Sequence, residues 1–129
     1  MDCGPTCLRM IAAYFGKSFD PAMLKHMSRI SVEGSSMLDL MNAAGKLQLC
    51  CKGFEVTTAQ LSETVLPAIL HWNQQHFVVL FKIKKQTYYI ADPAIGVIKF
   101  CRSAFLKHWQ NPGSIHTATG FILTFSLKV

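Results

Sequence analysis

Three residues in this chain have the types and the order that thiol chemistry requires: Cys3, His76 and Asp92. A cysteine attacks as its thiolate, so it needs surroundings that favour loss of the proton and a base to take it and return it. Imidazole is the usual base because its charge changes near neutral pH. The base in turn needs an acceptor that holds its ring in one orientation. Each residue alone has an ordinary explanation. A free cysteine is most often a buried apolar residue, a histidine at a strand start is usually structural, and Asp-Pro is a common turn. Only the conjunction, in this order, marks a site. His71, five residues before His76, is the internal competitor for the role of base.

The elements that must carry these residues can be read from periodicity. Cys7, Leu8, Ile11, Ala12 and Phe15 recur at helical spacing, Pro5 fits the first turn, and Gly16 is a natural C-cap. Cys3 then lies at the helix mouth, where free N–H groups and the positive end of the dipole favour a thiolate. Gly4 would allow a substrate backbone to approach. Asp20-Pro21 starts a second short helix through Met27, and Ser35 or Ser36 caps a third from Met37 to about Leu47. In that third helix Leu38, Met41, Ala44 and Leu47 share a face, and Gly45 weakens or shortens it.

The second half of the chain changes character. Strands are expected at Leu49–Val56, Pro67–Trp72, His76–Ile83, Thr87–Ala91, Val97–Phe100 and Thr119–Leu127. Thr57 to Gln60 offers a capping box for a short helix through Val65, and Ser103–Trp109 reads as a helical turn or two. Asn73-Gln74-Gln75 and Lys84-Lys85-Gln86 are turns, and Asp92 opens a loop that runs to Gly96. If the two strands after Trp72 form a hairpin, His76 at the start of one lies beside Asp92 at the end of the other. Helices first and a mostly antiparallel sheet second make an α+β layout rather than βαβ alternation.

Composition narrows the function classes. The 129 residues suit one domain, 1–129, with a core, and half of them are apolar while 16% are charged, which argues against disorder. No apolar run approaches the ~20 residues of a membrane span, and no signal peptide is visible at the start. Five cysteines, two of them adjacent at Cys50-Cys51, form no disulfide framework and suit a reducing compartment. A zinc site is a poor fit because no Cys-x-x-Cys occurs. Cys7 reads as core, and Cys50, Cys51 and Cys101 as buried or incidental. Trp72 and Trp109 read as packing residues. The formal net charge of +6 comes from scattered basic residues without a nucleic-acid recognition motif. A basic face could lie near anionic lipid headgroups.

Three segments together resemble the C39 peptidase domain, the N-terminal cytosolic part of bacterial ABC transporters that process and export bacteriocins and peptide pheromones. They are Asp2-Cys3-Gly4-Pro5-Thr6-Cys7-Leu8, His71-Trp72 with His76-Phe77-Val78-Val79-Leu80, and Tyr89-Ile90-Ala91-Asp92-Pro93-Ala94-Ile95-Gly96. The resemblance covers essentially the whole chain. It implies a papain-like fold with N-terminal helices packed on an antiparallel sheet. It also implies a cysteine endopeptidase that cleaves leader peptides after a Gly-Gly pair, with Cys3 as nucleophile, His76 as general base and acid, and Asp92 orienting His76. No cofactor and no metal are implied.

The implied partners are the leader peptide of a secreted precursor and the transmembrane and ATP-binding segments of the transporter, in the same polypeptide. The implied location is the cytoplasmic face of the bacterial inner membrane, and the end of the chain after an apolar strand suits a domain cut from a longer protein. Family members usually carry a glutamine six residues before the nucleophile that helps form the oxyanion hole; here that position lies upstream of Met1, so either the sequence starts after it or the donor is lacking, and the Cys3 backbone N–H is a partial donor. Two rivals make different predictions. A non-catalytic docking domain would bind the leader without cutting it, and a stand-alone papain-like peptidase would cut sequences lacking Gly-Gly.

Overall fold

A computed structural model describes residues 3–23, 25–27, 36–111 and 118–128. Helix α1 (Cys3–Tyr14) is followed by helical backbone at 21–23 and 25–27, then α2 (Met37–Lys46), β1 (Leu49–Thr57), α3 (Thr58–Ser62), β2 (Ala68–Trp72), β3 (His76–Lys84), β4 (Thr87–Asp92), β5 (Gly96–Cys101), α4 (Arg102–Trp109) and β6 (Thr119–Leu127). The six strands form one sheet in the order β1-β6-β2-β3-β4-β5, with each neighbouring pair antiparallel. The α+β expectation holds: helices come first and the sheet after.

Alternate strand residues feed two apolar clusters. Ile69, Phe77, Val79, Leu123 and Phe125 join α1 and α2 on one face. Leu70, Trp72, Val78, Leu80, Tyr88, Ile90 and Ile122 join Phe105 and Trp109 of α4 on the other. Phe77-Val78-Val79-Leu80 is therefore an unbroken apolar run because both of its faces are covered. A register irregularity between Leu80 and Lys82 ends that run, and Phe81 is exposed.

Local chemistry sets the element ends. The α1 helix closes in a Schellman motif: Gly16 sits at φ 71°, its N–H donates to the Ala13 carbonyl, and the Lys17 N–H donates to Ala12. The Asp20 carboxylate accepts from the Met23 N–H at 2.8 Å, as an N-cap should. Ser36 with Asp39 and Thr57 with Gln60 form reciprocal capping boxes. Ser35, the other expected cap of α2, and the 31–34 loop lie outside the described residues.

Several boundaries and faces differ from expectation. On α2 the expected Ala44 and Leu47 are buried and Met41 packs against the core, but Leu38 points to solvent and Leu40 and Ala43 complete the inward face. The spacing of Leu40, Ala43, Ala44 and Leu47 is the better helical stripe. Gly45 stays inside the helix, in open space, and does not shorten it. The helix after Thr57 ends at Ser62 rather than Val65, which is exposed. The strand near Pro67 begins at Ala68, because proline offers no N–H to the ladder. Asp92 closes β4 and pairs with Gly96 instead of opening a loop.

Two positions make the fold's tolerances explicit. A methyl group at Gly120 would fall inside the Trp109 indole, which lies on that backbone and donates from Nε1 to the Phe121 carbonyl at 3.3 Å. Gly120→Ala should lower unfolding free energy by about 1–3 kcal/mol in urea titrations. The two-residue turn between β3 and β4 holds Lys85 and Gln86 at φ 50° and 64°, a left-handed geometry that glycine adopts without penalty. Gln86→Gly should move the same measurement the other way, by about 1 kcal/mol.

Candidate active site

Antiparallel pairing brings two distant residues together. His76 opens β3 and Asp92 closes β4, and with the turn between these strands at the far end, both arrive at one end of the sheet. The His76 Nε2 lies 2.7 Å from Asp92 Oδ1. The same oxygen accepts the Ala94 N–H at 2.9 Å. Among the described residues Asp92 is the buried charged one, and His76 is largely covered as well. A carboxylate oxygen only accepts, so Nε2 donates and carries the proton. The neutral ring then presents Nδ1 as its free basic nitrogen.

The helix supplies the thiol. The α1 helix packs across β3 with Cys3, its first residue, buried. Cys3 belongs to the same cluster as Phe77, which follows His76, and Ala91, which precedes Asp92. The Cys3 amide is among the first-turn N–H groups that have no partner within a helix. One turn along, burial pushes the Cys7 thiol far up from its ordinary range, and negative charge on Cys3 and on Asp92 adds to that. Cys7 thus lies within electrostatic reach of both ends of the expected constellation.

His71, the rival base, lies on β2 opposite Phe77, with the rings 5.4 Å apart. Burial lowers its pKa, and a backbone hydrogen bond at Gln74 offsets this only in part. It is kept neutral by its surroundings, and Asp92 pairs with His76 instead. The remaining thiols divide by environment. Cys51 is raised to about 12 by burial and then by its neighbour Cys50. Of the two readings of Cys101, buried or incidental, the first does not hold. The residue is exposed at the N-terminus of α4, where a hydrogen bond to the Ser103 hydroxyl and then the Ala104 N–H lower its pKa. Trp72 and Trp109 pack in the core as expected. His116 lies outside the described residues.

Two features were not legible beforehand. The Ala94 N–H that holds Asp92 depends on the backbone path after Pro93, which no residue type announces. Asn73, in the turn before His76, is bonded to His108 of α4, and only its tolerance of left-handed backbone hinted at a special position. Among the described residues no three of His, Cys, Asp and Glu converge as metal ligands, and no helix is long and apolar enough to cross a membrane.

A cysteine at a helix mouth, docked on an antiparallel sheet whose neighbouring strand ends carry a bonded His and Asp, has the architecture of the papain-like cysteine peptidases. The chain belongs to the peptidase C39 family, whose sequence pattern matches residues 1–117. Over 108 residues it is 31% identical to the colicin V secretion/processing ATP-binding protein CvaB of Escherichia coli, covering 84% of this chain and 16% of that protein. Over 114 residues it is 32% identical to the lactococcin-G-processing and transport ATP-binding protein LagD of Lactococcus lactis subsp. lactis, with the same coverage of 84% and 16%. The chain thus spans about a sixth of the length of these curated relatives.

Among solved structures it is similar to a double glycine motif protease from an AMS/PCAT transporter in complex with the leader peptide. The identity there is 32% and the TM-score 0.75, covering 95% of this chain and 82% of that one. The peptidase domain of Streptococcus ComA shares the fold with a TM-score of 0.79 at 21% identity, covering 98% of this chain and 92% of that one.

Iodoacetamide labelling followed by peptide mass mapping at pH 7.5 should modify Cys3 and Cys101 while leaving Cys7 and Cys51 largely unmodified. Labelling of Cys3 no faster than Cys7 would argue against an activated thiol. His71 predicts a pH effect on stability. Its folded-state pKa is depressed, so the unfolded chain binds more protons below its ordinary value of about 6.5. Unfolding free energy should therefore be flat above that pH and fall as the pH drops below it, and His71→Phe should remove that part of the slope.

Proposed function

We propose that residues 1–129 form a C39-type cysteine endopeptidase domain that cuts leader peptides after a Gly-Gly pair. Cys3 is the nucleophile, His76 the general base and acid, and Asp92 the residue that orients His76. The observation that carries this reading is the 2.7 Å bond from His76 Nε2 to Asp92 Oδ1 beside the buried first turn of α1. It leaves Nδ1 free to take a proton.

The chemistry follows from those roles. His76 Nδ1 removes the Cys3 proton, and the sulfur attacks the carbonyl carbon of the second glycine. Charge develops on the carbonyl oxygen, and the Cys3 backbone N–H is a donor for it. The imidazolium gives its proton to the leaving amine as the C–N bond breaks, which releases the core peptide and leaves a thioester on Cys3. Water, deprotonated by Nδ1, attacks the thioester. The C–S bond breaks, the leader departs as a carboxylate, and the thiol is restored. Asp92 stabilises the imidazolium in both halves without taking its proton.

The substrate class is drawn from the related structure that is described as a double glycine motif protease bound to a leader peptide. The names of the relatives, secretion and transport ATP-binding proteins, support a peptidase joined to an ABC transporter, with the leader peptide and the transporter's membrane and ATP-binding parts as partners. On that reading the domain works at the cytoplasmic face of the bacterial inner membrane.

Mass spectrometry of a synthetic leader–core peptide with a Gly-Gly junction tests the proposal. Wild type should cut once, after the second glycine, and Cys3→Ala should not cut. Asp92→Ala should lower kcat by about a hundredfold or more. Binding without any cut by wild type would instead identify a docking domain, and efficient cutting of peptides without Gly-Gly would indicate a peptidase of other specificity.

A further inference from the structure

The base-bearing strand is held from behind by a helix that touches neither Cys3 nor Asp92 in any bond described above. Helix α4 ends at Trp109, and His108 in its last turn meets the turn that precedes His76. His108 Nδ1 lies 2.8 Å from Asn73 Oδ1. The Asn73 N–H donates back to the His108 carbonyl, also at 2.8 Å. Asn73 is thus tied to one residue at two points, and the second bond fills a carbonyl that a helix end leaves without an intrahelical partner. The His108 ring also stacks on Trp72, with centroids 5.0 Å apart and planes 11° apart.

Trp72 pairs with His76 across the β2–β3 ladder, so His108 holds the strand residue opposite His76 and the first residue of the turn that leads to it. Asn73 and Gln74 hold φ of 51° and 66°, and the Gln75 N–H returns to Trp72 at 3.3 Å. Only Gln74 and Gln75 separate the tied asparagine from His76. The helix itself is fixed at its end by Trp109 on Gly120 and by the bond to Phe121.

We infer that His108 and Asn73 are positioning residues for the proposed base: their side-chain hydrogen bond sets where His76 starts and so aims its Nδ1 at the Cys3 thiol. This rests on the peptidase reading given above. Asp92 fixes only one end of the imidazole, through Nε2, and a ring held at one atom can still swing with its backbone. The Asn73–His108 bond removes that freedom. Because Oδ1 can only accept, His108 donates from Nδ1.

Two substitutions of His108 separate the hydrogen bond from the packing. His108→Phe keeps an aromatic ring on Trp72 and loses the donor. His108→Asn loses the ring and can place an amide N–H near the position of Nδ1. Steady-state cleavage of the Gly-Gly peptide should give a kcat about tenfold lower for His108→Phe with KM within about twofold, since small misplacements of a reacting group are costly in rate. His108→Asn should stay within about threefold of wild-type kcat, and Asn73→Ala combined with His108→Phe should be no slower than either change alone.

Hydrogen exchange of the Asn73 and Gln75 amides provides a readout that does not require turnover. It should quicken in His108→Phe and remain near wild type in His108→Asn. Equal losses in the two His108 variants would overturn the inference in favour of packing. So would unchanged exchange in His108→Phe, or rate effects that multiply in the double variant. A wild-type chain that fails to cut at all would defeat the peptidase reading, while the exchange result would still decide whether the bond orders the turn.

Discussion

A carboxylate taken out of water must be given partners, and Asp92 is the side chain on which this demand falls. Left alone in the interior it would cost several kcal/mol. It is instead bonded to His76 and to the Ala94 amide. Satisfying it fixes how β3 lies on β4 and where the chain must turn after β4. A slip of one residue would rotate the apolar side chains to the wrong faces of the sheet and separate the pair. The His76–Asp92 bond and the burial of the apolar side chains therefore favour the same sheet register.

The sheet divides the remaining work between its faces. One face receives α1 and α2, and with them Cys3 and Cys7. The other receives the aromatic cluster of Trp72, Tyr88, Phe105 and Trp109, in which Tyr88 and Phe105 stack with centroids 4.1 Å apart. The first face presents the thiol, and the second anchors the helix that grips the turn before His76. Strand β3 runs between them and belongs to both. Its apolar run is what lets it pack against a helix on one side and a helix on the other.

Environment sorts five chemically identical thiols. Burial makes Cys7 and Cys51 poor acids, and hydrogen bonds at a helix start favour ionisation of exposed Cys101. Cys3 opens α1 in the same cluster as Phe77 and Ala91, the chain neighbours of His76 and Asp92. The acidity of these thiols is thus a property of position, and the apolar position of Cys7, one turn along α1, suppresses it.

Much of this was already legible in the residues. The stripe from Cys7 to Phe15, the cap at Gly16 and the boxes at Ser36 and Thr57 act over a few residues, so they appear in the order of the letters. The order of Cys3, His76 and Asp92 was visible too, as was the resemblance those segments carry. What stayed hidden depends on neighbours far along the chain. The exchange of Leu38 for Leu40 and Ala43 on the inward face of α2 was set by what it packs against, Asp92 became a strand end through its pairing with Gly96, and Gly120 matters because an indole from another element lies on it. The tie between Asn73 and His108 joins positions thirty-five residues apart. Local sequence determined the elements and the candidate chemistry, because capping and periodicity are short-range. Only the tertiary structure decided which histidine meets Asp92 and what holds it there, because burial and long-range hydrogen bonds exist only once the sheet has formed.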